Sequence, residues 1–287
     1  MSDSAPTSPT GWRKQALRAV RAAEMARSVV LASRPWAALR EARRPPAEPA
    51  PPVRAALVAH VFYPDLWPEI VAAWRALPAG SPLIATAPPA QARALRDLAG
   101  GDERIEIVEV ANRGRDVGPL LTLLASGRLD AFDAVLKIHS KRSPHLRDGD
   151  LRRRMFYAEL AGGPRHVAAI LRQFENLRVG LVGPGFYFRS KPFYWMANRA
   201  RVEGLCARME PPAAPRLGFF EGTMFWIRPA ALAPLRAIGL GVDDFEAEAG
   251  QIDGALHHAA ERLFALSAAA AGYETRALDG RVLLSPP

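Results

Sequence analysis

Cysteine occurs once in the 287 residues, at Cys206, so no intrachain disulfide can form and a cysteine-rich zinc site is excluded. A reducing compartment fits that usage. No uncharged apolar run approaches the ~18 residues that a membrane span needs, and the opening MSDSAPTSPT lacks the charged-then-apolar order of a secretory signal. The expectation is a cytoplasmic protein. HExxH, EF-hand, GxxxxGK[ST] and GxGxxG patterns are all missing, and His257-His258 stand as neighbours on opposite-leaning faces of a helix. No metal and no P-loop are therefore expected. Acidic charge is also short, since 29 Asp and Glu face 38 Lys and Arg, leaving a net charge of +9 and a pI of about 10.4. That balance favours anionic partners such as nucleic acid, acidic lipid or nucleotide diphosphates. Aromatic residues are not interleaved with basic ones in any RNA-binding signature, which argues against nucleic acid.

What is present is 49% hydrophobic and 23% charged, enough to bury a large core in one α/β domain with appendages. Residues 1–54 stand apart. A Ser/Thr/Pro opening leads into an Arg-rich stretch from Trp12 to Arg44, then into the linker PPAEPAPP. Leu17, Val20, Val29, Val30 and Leu31 among Arg13, Lys14, Arg18, Arg21 and Arg27 read as a basic, roughly amphipathic helix. Two readings stay open for this arm: docking on the anionic inner face of the plasma membrane, or a solvated arm packing on the domain.

From residue 55 to about 280 the punctuation is that of a βαβ series. AALVAHVFY, PLIATAP, RIEIVEVA and DAVLKIHS read as strands, and WPEIVAAWRAL, PAQARALRDLAG and GPLLTLLASG as the helices between them. This predicts a mostly parallel sheet with helices on both faces, whose ligands sit beyond the carboxyl ends of the strands. After Asp150 the pattern loosens into helices near 151–160 and 166–175, the strands VGLVGP and GTMFWI, and a long Ala-rich helix from Asp253 to Ala271, stopped by Gly272.

Three strand ends concentrate polar residues. The first holds His60 and Asp65; a buried core histidine and a turn or cap residue explain them about as well as a site does. The second, Asn112, Arg113, Gly114, Arg115, Asp116 and Gly118, suits an anionic, hydroxyl-rich ligand, because guanidinium pairs bidentately with phosphate and carboxylate accepts hydroxyls. An Arg115–Asp116 pair that fixes the turn is the structural alternative. The third, Lys137, His139, Ser140, Lys141 and Arg142, turns Lys137, His139 and Lys141 to one face. Cations so aligned are costly without an anion, and a diphosphate would supply one. A solvated basic loop is the alternative.

In order along the chain, HVFYPDLW, NRGRDVGPLL, VLKIHSKRS, FFEGTMFWIRPAAL and GQIDGALHHAAERLF resemble the motif series of rhamnan synthesis protein F, over roughly residues 55–275. The resemblance implies a glycosyltransferase of surface-polysaccharide or lipopolysaccharide O-antigen synthesis, with nucleotide-activated rhamnose (dTDP-rhamnose) as donor substrate, a lipid-linked or polysaccharide glycan as acceptor, and no further cofactor. The architecture is also similar to the GT-A (Rossmann-like) glycosyltransferase fold, which would make 55–150 the nucleotide-sugar half and 151–280 the acceptor half. His60, the Asn112–Asp116 turn and the Lys137–Arg142 segment would then bind donor. Where many GT-A enzymes carry a metal-holding Asp-x-Asp, this chain has His139-Ser140-Lys141, so metal-independent, inverting transfer is expected. Asp253, or alternatively Glu248, would take the acceptor proton, although Asp253 could instead be a helix N-cap. Glu221, Gly222, Thr223 and Trp226 would face the acceptor, with Trp195 as a further stacking candidate. A non-catalytic glycan- or nucleotide-binding subunit is the second functional reading.

Overall fold

The structure is a computed structural model that describes residues 11–43, 51–140, 142, 148–251 and 253–287. Helices α1 (Gly11–Leu31) and α2 (Arg34–Ala42) precede an alternating series: β1 (Ala55–His60), α3 (Trp67–Trp74), β2 (Leu83–Ala87), α4 (Pro89–Ala99), β3 (Ile105–Glu109), α5 (Val117–Ala125) and β4 (Ala134–His139). There follow α6 (Gly149–Ala161), α7 (Pro164–Gln173), β5 (Val179–Gly183), β6 (Phe188–Arg189), α8 (Arg199–Ala207), β7 (Phe219–Phe220) and β8 (Phe225–Ile227). The chain closes with α9 (Ala233–Ala237), α10 (Leu256–Glu261), α11 (Leu263–Ala270), β9 (Glu274–Ala277) and β10 (Val282–Leu284).

Strands β1, β2, β4 and β5 are buried at every position. A strand covered on both faces has no polar side to show, which is why these segments read as continuous apolar runs. The expected α/β architecture is present, an eight-stranded sheet in the order β10-β9-β5-β8-β4-β1-β2-β3. β1, β2, β3 and β4 are mutually parallel, as are β5 and β9; β8 runs antiparallel to both β4 and β5, and β10 antiparallel to β9. Helices cover both faces. One core packs Leu57, Leu83 and Leu136 beneath α3, α4, α6 and α7, and the other packs Val58, Ile84 and Val135 beneath α5, α8, α9 and α11. The sheet extends past residue 280, through Leu284 of β10.

The long Ala-rich helix is not continuous. It is two short helices divided at Arg262, whose guanidinium bonds the carbonyls of His258 and Tyr194 instead of solvent. Nor is Asp253 its N-cap, a position held by Ala255. Gly272 does stop it, at φ +83°. Among the described residues no helix is long and apolar enough to cross a membrane.

Candidate functional site at the strand ends

Register brings the polar strand ends together. His60 of β1 stands beside Thr86 of β2 and His139 of β4, and Val58 stands beside Lys137. Alternation then turns His60, Thr86, Lys137 and His139 to the face that α5 covers, and Asp116, at the start of α5, lies over them. Asp116 Oδ2 is 2.5 Å from Lys137 Nζ and 3.0 Å from His139 Nδ1. Lys137 is 1% exposed and donates a second bond to the Thr223 carbonyl at 2.7 Å. Burial pushes the Asp116 carboxyl up, but the neighbouring His139 and Lys137 outweigh it and hold the group well below the usual carboxylate range. The anion that the aligned cations require is therefore Asp116 itself. Lys137 is matched inside the protein, which corrects the expectation that a ligand must neutralise it.

His60 is buried, with Nδ1 3.1 Å from Thr86 Oγ1, and burial pulls its pKa down to about 4. It stands neutral at physiological pH. Ser140 Oγ accepts the backbone N–H groups of Phe62 and Tyr63 at 2.8 and 3.0 Å, so it shapes the turn after β1. Arg142 pairs with Asp65 and lies over the Tyr63 ring. Lys141 lies outside the described residues.

The turn before α5 explains its unusual residue string. Gly114 takes φ +69° and Arg115 φ +51°, and a Cβ at Gly114 would sit 2.7 Å from Phe245 Cγ. At Gly118 a Cβ would lie 2.6 Å from the Arg113 carbonyl oxygen, so both glycines are needed for close approach. The predicted alternative of an Arg115–Asp116 pair is not what forms. Arg115 instead grips Glu248 bidentately at 2.9 and 3.0 Å and donates to the Gln251 carbonyl at 2.7 Å. Arg113 reaches the Phe245 carbonyl at 3.4 Å and bridges to Ala247, while Asn112 is exposed at the entry of the turn. One predicted donor residue and one predicted base thus meet across the two halves of the chain.

Glu221, Gly222 and Thr223 adjoin this network, because the Thr223 carbonyl holds Lys137. Gly222 and Thr223 both take positive φ, +88° and +52°, and Thr223 Oγ1 is buried with no hydrogen-bond partner among the described residues. Glu221 pairs with Arg189. Trp226 does not face an acceptor. It is 0% exposed, its Nε1 donates to the Leu160 carbonyl at 3.0 Å, and it belongs to the core between α6 and the sheet. Trp195 packs partly buried against the other core. Asp253 spends both carboxylate oxygens on the backbone N–H of Ala197 (2.9 Å) and the side chain of Asn198 (2.6 Å), so it fixes the segment before α8. Glu248 is likewise engaged by Arg115 and by the Gly250 N–H, and its pKa is lowered chiefly by its bond to Arg115.

One residue of this region escapes sequence reasoning. His257 is 4% exposed, its Nε2 has no partner among the described residues, and it lies in the field of Arg115, Glu248 and Asp116. Burial, then the charge of Arg115, lowers its pKa. Neighbouring histidines in a helix give no sign that one of them faces a turn far away in sequence. Among the described residues, no three His, Cys, Asp or Glu side chains are grouped to hold a metal.

The model of one protein family, described as rhamnan synthesis protein F, matches residues 20–273. Two curated relatives, both called uncharacterized protein WxcX and both from strains of Xanthomonas campestris pv. campestris, are each 32% identical over 231 residues. That match covers 78% of this chain and 33% of the relative, so the chain spans about a third of the length of the curated relatives it matches.

Proposed function

The chain belongs to the rhamnan synthesis protein F family, and from that premise we propose that it is a glycosyltransferase, moving rhamnose from dTDP-rhamnose to a growing cell-surface polysaccharide or O-antigen. The observation that carries the proposal is the convergence of His60, Asp116, Lys137 and His139 at the carboxyl ends of parallel strands, closed on one side by the Arg115–Glu248 clasp. Crevices at such strand ends are where open α/β sheets bind ligands. A parallel Rossmann-like half joined through the reversed β8 to a second half is compatible with a GT-A architecture.

In this reading the buried Asp116–Lys137 pair holds the turn, and Arg113, Arg115 and Arg142, with Lys141, meet the diphosphate. The acceptor oxygen attacks the anomeric carbon, the bond from that carbon to the diphosphate oxygen breaks, and the nucleoside diphosphate leaves with the electron pair. The acceptor proton passes to a carboxylate, Glu248 or Asp253. Transfer without a metal is part of the proposal, because the strand end after β4 offers His139-Ser140-Lys141 in place of Asp-x-Asp. A second reading, a non-catalytic binding subunit, is favoured by the engagement of both carboxylates with protein donors.

The test is to follow labelled dTDP-rhamnose with a lipid-linked acceptor. Release of dTDP with sugar transfer, abolished in Glu248→Gln or in Asp253→Asn, supports the transferase. Binding without turnover supports the second reading, and neither binding nor turnover removes both.

A further inference from the structure

Between Ala22 and Leu31, helix α1 buries polar residues and exposes apolar ones. A surface helix ordinarily turns apolar residues to the protein and polar ones to water. Here the acid and the serine face inward. Glu24 is 7% exposed and accepts Arg152 at 3.0 Å and Arg189 at 2.9 Å; Ser28 is 0% exposed against Met155 and Tyr187. Arg27 binds Glu159 at 2.7 Å, and Leu31 enters the core. The opposite face carries Met25, Val29 and Val30, 40%, 49% and 50% exposed, with Ala22 and Ala26 exposed between them. Val29 and Val30, read from sequence as one stripe with Leu31, thus lie on the other side of the helix.

Charge says what the outer face meets. The helix sequence has Arg13, Lys14, Arg18 and Arg21 besides Arg27, which Glu159 takes, and its single acid, Glu24, is consumed inside the protein. An exposed apolar strip on a helix of so basic a sequence is what an anionic lipid surface binds, the strip entering the headgroup boundary and cations meeting phosphate. We propose that the outer face of α1 docks the protein on an anionic membrane surface. Packing on the domain and membrane docking are then not alternatives for the arm, since opposite faces of the same helix serve them.

The experiment floats the full chain with vesicles of phosphatidylcholine alone or mixed with phosphatidylglycerol. Wild type is expected to float with the mixed vesicles, less so as salt is raised, and to stay behind with phosphatidylcholine alone. Lys14→Glu with Arg18→Glu should lower binding roughly tenfold or more, by the weight each basic residue carries at such a surface. Val29→Ser with Val30→Ser should also lower it without any change of charge, and because both positions are exposed the unfolding temperature should stay within a few degrees of wild type. No flotation with the mixed vesicles overturns the proposal, as does flotation that the serine variant leaves unchanged. Self-association in light scattering that the serine variant dissolves, with vesicles ignored, assigns the face to a second copy and overturns it too.

Discussion

Asp116 and Lys137 are each other's counter-ion in a place that water hardly reaches, and such a pair is strongly felt when one member is removed. Lys137→Met should destabilise the protein by about 1–3 kcal/mol, because the buried Asp116 carboxylate loses its ammonium partner and keeps only its contact with His139. Adding Asp116→Asn to that variant should recover part of the loss. Urea unfolding of the two single variants and the double variant measures this, and additive losses would mean that the contact carries no coupling. His60 supplies a pH dependence of defined sign. Its pKa in the fold, about 4, lies below the value near 6.5 of an unfolded histidine, so the unfolded chain binds the proton first. The stability that neutral His60 contributes is complete above roughly pH 6.5 and is lost as the pH falls toward 4. Unfolding midpoints taken between pH 7 and 5 should drop, and drop less in His60→Gln.

At the level of elements, the turn Asn112–Gly118 shows what a linear string can and cannot disclose. Its place after a strand and before a helix was legible, because RIEIVEVA and GPLLTLLASG have clear patterns. So were β1, β2 and β4, whose apolar runs are long and cleanly punctuated. What the turn binds was not legible, since Phe245, Ala247 and Glu248 come from more than a hundred positions away. Asp253, expected as a base or else as the cap of the helix that follows it, does not cap that helix but bonds Ala197 and Asn198, and Trp226, expected to face the acceptor, is core. Both errors have one cause: a residue type states what it can bond, and only tertiary contact decides with what. Strands β6 and β7, two residues each, carry too little period to be seen. Gly114→Ala tests the turn directly. With φ at +69° and Phe245 in the way of a Cβ, it should cost about 1–3 kcal/mol in thermal or denaturant unfolding. An unchanged midpoint would mean that the turn relaxes freely.

For the whole molecule, the N-terminal helices belong to the body that carries the strand ends. Glu24 ties α1 to Arg152 of α6 and to Arg189, which also holds Glu221 beside Thr223. Glu24→Ala should cost about 1–2 kcal/mol, a loss limited because Arg152 keeps Asp148 and Arg189 keeps Glu221. Hydrogen exchange should speed up in α1 well before β1 or β4, and uniform acceleration would mean that the helix has no separate docking. Donor binding as proposed requires the strand ends to form one crevice. The direct measurement is a titration of isotopically labelled protein with dTDP-rhamnose, observed by backbone amide resonances. Saturable shifts concentrated at residues 112–118 and 137–142 are expected; no shifts, or shifts confined to other faces of the sheet, would rule out a donor crevice there.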